Sequence, residues 1–160
     1  MELTGEERAF LERAVDLAEA ALVAGDEPFG SVLVSADGRV LFEDHNHVAQ
    51  GDHTQHPEFA IARWAAQHLS VDERRACTVY TSGEHCPMCA AAHGWVGLGR
   101  IVYASSSAQL TGWLSDLGVS PSPVATLPIN TIVPDADVDG PDPQLAERVR
   151  ALHERQQRNG

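Results

Sequence analysis

The chain has 160 residues, of which 43% are hydrophobic, and its formal net charge is −12 at pH 7. A chain of this length holds one domain with a sizeable core, so we expect a single domain over residues 1–160. All 11 basic residues are arginines, which excludes a Walker-A phosphate loop and a Schiff-base lysine.

A strongly acidic surface repels the phosphate backbone, so nucleic acid is an unfavourable partner. No segment is long and apolar enough to cross a bilayer, and the acidic N-terminus lacks the features of a secretory signal. We therefore expect a cytoplasmic protein without membrane contact. The 3 cysteines argue against a disulfide framework, because their number is odd and no export signal is visible.

The first half of the chain predicts a helix followed by a hairpin. Thr4 is a candidate N-cap with Glu7 at the capping-box position, and apolar residues recur at helical spacing as far as Ala24. Segments 29–35 and 39–43 have strand character and are separated by an Asp-Gly turn.

The middle of the chain alternates between helices and strands. After a polar loop at 45–56, we predict helices over 57–69 and 86–98 and strands over 77–81 and 101–104. Right-handed crossovers between paired strands place both helices on one face of the sheet. The fold class is therefore α/β.

The C-terminal segment 116–160 is harder to divide into elements. A short helix is predicted over 109–117, and the fifth strand falls at 124–127 or at 129–133. The acidic, proline-rich stretch 135–143 has the composition of a surface linker. Helical spacing returns over 144–157.

A C-x-x-C motif and an upstream H-x-E motif carry the candidate chemistry. Pro87 favours a helix that begins inside the pair Cys86 and Cys89, and residues at i and i+3 share a helix face. Together with His56 they supply two thiolates and one imidazole, which hold one Zn²⁺ and leave its fourth position open. Glu58, two residues after His56, is then the acid/base beside a zinc-bound water.

This pair of motifs predicts hydrolytic deamination. A zinc-bound hydroxide would attack a ring carbon that bears an amino group, and Glu58 would shuttle the proton before ammonia leaves. Two other interpretations remain open: a non-catalytic, zinc-stabilised binding module, and a redox C-x-x-C protein without a metal. The unliganded Glu58 discriminates between them, because a purely structural site has no use for a free carboxylate.

The chain resembles the cytidine deaminase-like superfamily, and most of all the branch of guanine deaminases, cytosine deaminases and tRNA adenosine deaminases. The resemblance rests on motifs 56–58 and 86–89, on Pro28-Phe29-Gly30 before a hairpin, and on Asn46. It implies a three-layer α-β-α fold with a central five-stranded mixed sheet flanked by helices. It also implies a homodimer, a catalytic core at about 5–115, and substrate contacts from Asn46 and Phe29.

Two positions depart from the family pattern. Pro57 stands where the family has a small residue, and it is compatible with a helix start. His85 stands where the family has proline, and it is a neutral replacement, a substrate contact or a competing ligand. Trp95 and Trp113 are candidates to stack on a flat heterocycle, although core packing is the commoner fate of tryptophan.

The expected substrate is a small amino-heterocycle: a free nucleobase such as guanine or cytosine, a nucleoside, or an aminotriazine. No cluster of arginines flanks either motif to bind a nucleotide phosphate. A tRNA adenosine deaminase is the alternative substrate class, and the acidic charge disfavours it.

Overall fold

A five-stranded sheet lies at the centre of the computed structural model, which describes residues 1–159. The strands lie in the order β2-β1-β3-β4-β5. β1 is antiparallel to β2 and β3, whereas β3, β4 and β5 are parallel, so the sheet is mixed. The strands are β1 (Gly30–Val34), β2 (Val40–His45), β3 (Thr78–Gly83), β4 (Arg100–Ser105) and β5 (Val138–Asp139).

Seven α-helices and one 3₁₀ turn, Val48–Gln50, complete the described part of the chain. Within residues 1–159, none of the helices has both the length and the apolar character needed to cross a membrane. The helices are α1 (Gly5–Val23), α2 (Pro57–His68), α3 (Val71–Ala76), α4 (Pro87–Val96), α5 (Ser107–Asp116), α6 (Ile129–Ile132) and α7 (Pro143–Asn159).

Both faces of the sheet are covered by helices. Successive side chains of a strand point to opposite faces, so Val32 and Val34 pack with α1 and α7, while Leu33 packs with α2 and α4. The same alternation places Tyr80 in the first cluster and Val79 in the second. The predicted three-layer α-β-α fold with a mixed five-stranded sheet is confirmed.

Helix α1 begins and packs as its sequence predicts. Thr4 and Glu7 form the expected capping box, with Thr4 Oγ1 accepting from the Glu7 amide at 3.1 Å. The helix then crosses β1 so closely that a Cβ at Gly30 would lie 2.4 Å from the carbonyl oxygen of Ala14. The glycine of the Pro-Phe-Gly motif is therefore required by helix–strand packing.

The structure corrects the predicted position of the fifth strand and adds one helix that was not predicted. The fifth strand is at neither 124–127 nor 129–133; it is Val138–Asp139, inside the predicted linker, and it pairs with Ile101 and Val102. Residues Ile129–Ile132 form the short helix α6 instead. Helix α3 was not predicted, although Ser70 and Glu73 form a capping box at its start.

Candidate metal centre and active site

Two helix starts bring the predicted metal ligands together. His56 is the N-cap of α2 and Cys86 is the N-cap of α4, while Cys89 lies in the first turn of α4. Nδ1 of His56 lies 3.5 Å from the sulfur of each cysteine. The three donor atoms lie within 4.8 Å of one another. The predicted cluster of His56, Cys86 and Cys89 is therefore formed in the folded chain.

The local electrostatics favour a thiolate at this point. Hydrogen bonds from the Cys89 thiol and from His56 lower the pKa of Cys86 to about 4. The hydrogen bond that Cys89 donates to Cys86, together with burial, raises the pKa of Cys89. The hydrogen bond to Cys86, as a thiolate, raises the pKa of His56. Cysteine binds a metal as the thiolate and histidine as the neutral imidazole, so a divalent cation would displace the protons that these side chains carry.

The donor set fits zinc. Two cysteine sulfurs and one imidazole nitrogen are ligands that zinc binds, and three protein ligands leave the fourth tetrahedral position open. We conclude that His56, Cys86 and Cys89 are able to hold one Zn²⁺.

Glu58 is a buried carboxyl group beside this cluster. It lies in the first turn of α2, its relative exposure is 5%, and it is not one of the three clustered ligands. Burial raises the pKa of Glu58, and a hydrogen bond from Thr81 lowers it. The carboxylate is near enough to Cys89 to raise the pKa of that thiol. A carboxyl group with a raised pKa beside a metal site is suited to proton transfer.

Two hydroxyl groups that sequence reasoning missed hold Glu58 in place. Thr81 Oγ1 donates to Glu58 Oε1 at 2.8 Å, and Ser31 Oγ lies 3.2 Å from the same oxygen. The two hydroxyl oxygens are 2.8 Å apart. Both residues are fully buried within strands. The available signal was a hydroxyl group inside a strand that is predicted to be buried, since such a group needs a hydrogen-bond partner.

The two predicted contacts upstream of the cluster lie at the carboxyl end of β2 and the amino end of β1. Asn46 is buried, and its Oδ1 accepts from the amides of Glu27 at 3.3 Å and Val48 at 3.0 Å. These bonds orient the side-chain amide and leave Nδ2 as a donor. Phe29 accepts from the Asn46 amide at 3.0 Å through its carbonyl and packs its ring on that of His153, with centroids 5.2 Å apart.

His85 is buried rather than clustered with the metal ligands. Its ring packs edge-on against His93, with centroids 5.4 Å apart, and Nδ1 of each ring has no hydrogen-bond partner within residues 1–159. Nε2 of His93 donates to the carbonyl of Gly99 at 2.7 Å. Of the three interpretations of His85, direct competition as a ligand receives no support, because His85 is not in the donor group.

The two predicted tryptophan contacts lie in different surroundings. Trp95 is 91% exposed near the C-terminal end of α4; eight residues of helix place it about 12 Å along the axis from Pro87. Trp113 is buried in the core cluster on the α1 and α7 face of the sheet. Trp113 also lies beside His153, with ring centroids 6.4 Å apart. The stacking of either indole on a heterocycle stays a prediction.

A groove with a volume of about 500 Å³ is lined mainly by residues of α2 and of the loop before it. Its lining includes His56, so the groove reaches one of the three clustered donors. It is lined by Phe42, Asp52, Thr54, Gln55, His56, Phe59, Ala60, Arg63, Trp64 and Gln67.

Comparison with proteins of known sequence identifies deaminases among the relatives of this chain. The chain is 35% identical over 112 residues to a probable cytosine deaminase of Schizosaccharomyces pombe, covering 68% of this chain and 66% of that protein. It is 40% identical over 98 residues to a guanine deaminase of Bacillus subtilis, covering 60% of this chain and 62% of that protein. The chain thus spans less than two thirds of the length of either relative.

The fold is shared with a solved structure of guanine deaminase from Nitrosomonas europaea. The TM-score is 0.72 at 19% identity, and the match covers 99% of this chain and 87% of that one. Residues 4–105 match the family model of the cytidine and deoxycytidylate deaminase zinc-binding region, which includes all three clustered ligands and Glu58. Because this match covers more than half of the chain, the protein belongs to the cytidine and deoxycytidylate deaminase zinc-binding family.

Proposed function

We propose that this protein is a zinc-dependent hydrolytic deaminase of a small amino-heterocycle and releases ammonia. The substrate class comprises free nucleobases such as guanine or cytosine, nucleosides and aminotriazines. The observation that carries the proposal is Glu58, a buried carboxyl group that hydroxyls hold beside His56, Cys86 and Cys89 without being one of the clustered donors.

Different residues of the protein bind the substrate and transfer protons. Zinc, when bound, supplies an acidified water as the nucleophile. Glu58 would accept one proton from the attacking water and pass it to a ring nitrogen of the substrate. It would then accept the second proton, from the hydroxyl group newly added to the ring carbon, and pass it to the amine as the C–N bond breaks. Asn46 presents the Nδ2 donor to the heterocycle, since its Oδ1 is held by two backbone amides. One carboxyl group therefore serves as base and then as acid.

The surface charge supports a small substrate over tRNA. The net charge is −12, and most of the arginines that would contact phosphates are already paired with carboxylates. Unpaired cations are what nucleic acid binding requires. The paired arginines are Arg8, Arg13, Arg39, Arg75, Arg100, Arg148, Arg150 and Arg155.

The C-terminal segment 116–160 belongs to the same proposed domain as the catalytic core at about 5–115. Helix α7 packs on α1 and on the sheet through Leu145, Val149 and Leu152. His153 of this helix contacts Phe29, next to the Asn46 loop. These contacts support one domain over residues 1–160, in which α7 stabilises the part of the core next to Phe29 and the Asn46 loop.

A homodimer, which the family resemblance implies, is part of this proposal. Trp95 supports it because the indole is almost fully exposed on α4, the helix that carries both cysteine ligands. Tryptophan is enriched at protein–protein interfaces, and burial there would remove a large apolar surface from water.

An ammonia-release panel tests the function. The zinc-loaded protein is incubated with guanine, cytosine, adenine, their nucleosides, aminotriazines and an adenosine-containing tRNA anticodon stem-loop. We expect release from at least one small heterocycle and none from the RNA. Release from the RNA alone would establish the tRNA adenosine deaminase alternative.

The variant Glu58→Gln tests the proposed proton shuttle. It should keep one zinc per chain and lose at least about 100-fold in turnover, which is the usual contribution of a general acid–base group. Glu12→Gln, which changes an exposed carboxyl group on α1, is the matched control and should keep full activity. Zinc retention without ammonia release from any compound would instead favour the non-catalytic binding module.

A further inference from the structure

A second group of potential metal ligands lies outside the zinc cluster. One ring nitrogen from each of His45 and His47 and one carboxylate oxygen of Asp26 lie within 4.8 Å of one another. The two imidazole rings are adjacent, with centroids 4.4 Å apart. Two imidazoles and one carboxylate form a donor set that binds borderline divalent cations.

The backbone brings these three residues together from two segments. His45 ends β2, and His47 follows it two residues later, before the 3₁₀ turn. Asp26 comes from the loop between α1 and β1, and its Oδ1 accepts from the amide of Ala49 at 2.9 Å. This hydrogen bond holds the Asp26 loop against the turn that carries the histidines, so the group does not depend on one flexible loop.

Hydrogen bonds orient both imidazoles as metal ligands are usually oriented. Nδ1 of His45 lies 2.8 Å from the carbonyl oxygen of Asn46, and Nε2 of His47 lies 2.8 Å from a carboxylate oxygen of Asp44. A ring nitrogen that donates in this way leaves the other nitrogen with a free lone pair. The partner of His47 is a carboxylate, as in the carboxylate–histidine–metal arrangements of known sites.

We propose that Asp26, His45 and His47 form a second metal site, which takes a divalent first-row transition metal such as Zn²⁺, Ni²⁺ or Co²⁺. Ligands about 2.1 Å from a common ion lie roughly 3 to 3.5 Å apart. The donors lie within 4.8 Å of one another, so the side chains would have to draw closer on binding, and His47, whose side chain is 48% exposed, is the member of the group that faces solvent. Asp26 is 8% exposed, so the ion would enter from the histidine side and keep water at its remaining positions.

An ion at this site would stabilise the surroundings of Asn46. The side-chain oxygen of Asn46 is held by the amides of Glu27 and Val48. Those two residues lie in the same two segments that provide Asp26 and His47. The ion would therefore tie together the segments that orient Asn46, and removing it would loosen them without removing the zinc at the sulfur cluster.

Cobalt titration of the metal-free protein distinguishes the two sites. Co²⁺ bound by Cys86 and Cys89 has intense thiolate charge-transfer absorption, whereas Co²⁺ bound by nitrogen and oxygen has only weak bands. We expect two equivalents to bind per chain, of which only one produces the thiolate absorption. The variant Cys86→Ser should lose that absorption and still bind the other equivalent, so failure of the zinc cluster and failure of the second site have different signatures.

Three variants and one control test whether the second equivalent of Co²⁺ binds at Asp26, His45 and His47. His45→Ala and His47→Ala should each weaken it at least tenfold, and Asp44→Asn, which changes the partner of His47, should weaken it about tenfold. His53→Ala removes an exposed histidine from the same loop and should leave its affinity unchanged. Added metal should also raise the unfolding temperature of Cys86→Ser, but not that of Cys86→Ser combined with His47→Ala.

The proposal is overturned by either of two results. One is binding of a single equivalent by the natural protein at metal concentrations well above those that saturate the sulfur cluster. The other is a second equivalent that binds His45→Ala and His47→Ala as tightly as it binds the natural protein. An equal loss of affinity in His53→Ala would count against the proposal in the same way, because it would assign the second equivalent to surface histidines in general.

Discussion

Replacing Thr81 with valine tests whether the buried hydroxyls position Glu58 for proton transfer. The two side chains have nearly the same shape, and Thr81 is fully buried, so the change removes one hydroxyl and little volume. That hydroxyl donates to Glu58 Oε1 at 2.8 Å, whereas Ser31 lies 3.2 Å from the same oxygen. After the substitution only the longer contact remains.

The expected effect follows from the strength of a hydrogen bond to a charged group. Such a bond contributes about 1.5–3 kcal/mol, which corresponds to a factor of roughly 10 to 150 in rate. Because Ser31 partly compensates, we expect kcat to fall about tenfold. KM should stay within about twofold of its original value, because neither hydroxyl is predicted to contact the substrate.

The same hydrogen bond fixes the direction in which the pH profile of kcat should shift in Thr81→Val. The hydrogen bond from Thr81 lowers the pKa of Glu58, in opposition to burial, so its loss raises that pKa further. Glu58 must be ionised to accept a proton, and the acidic limb of the kcat profile should therefore move to higher pH. A purely structural role for Thr81 would not move this limb.

Steady-state ammonia release across pH, with zinc content and unfolding temperature measured in parallel, checks this prediction. Thr81→Ser keeps the hydroxyl and should recover most of kcat, and Ser31→Ala should have the smaller effect of the two hydroxyl deletions. Unchanged kcat in Thr81→Val, or equal losses in Thr81→Ser and Thr81→Val, would refute the positioning role.

Two further predictions concern pH stability and assembly. Burial lowers the pKa of His153 to about 4; since this is below the ordinary value of 6.5, stability is full above pH 6.5 and falls by about 3 kcal/mol as the pH drops to 4. His153→Phe should lessen this loss in urea unfolding, and an unchanged pH slope would show that His153 is not its source. Trp95→Glu should convert the proposed dimer to a monomer in sedimentation velocity; a dimer of unchanged stability would place the interface elsewhere.

The metal ligands were predictable because their signals are local. Cys86 and Cys89 are separated by one helical turn, and Pro57 and Pro87 mark the helices that begin at His56 and Cys86. Local rules about caps and helix faces therefore predicted the positions of the three candidate ligands at the helix starts. The same rules placed Thr4 at the start of α1. The missed helix α3 had the same kind of signal at Ser70 and Glu73.

The fifth strand could not be predicted from local signals in the sequence. Val138 and Asp139 form a strand only because they pair with β4, and two residues carry no periodicity of their own. The surrounding prolines and aspartates indicate a linker by composition. Pairing with a distant strand outweighed that local preference, since backbone groups that lie beside a sheet edge gain hydrogen bonds there.

The sequence by itself determined the candidate ligand set, the nearby carboxyl group of Glu58 and the alternation of helices and strands. Only the tertiary structure decided which side chains meet. It joined Ser31, Glu58 and Thr81 from three elements, and it brought Asp26 to His45 and His47. It also placed Trp95 in solvent and Trp113 in the core. The reason is physical: helix and strand periods specify the face of each residue, whereas contacts between elements depend on how the faces pack.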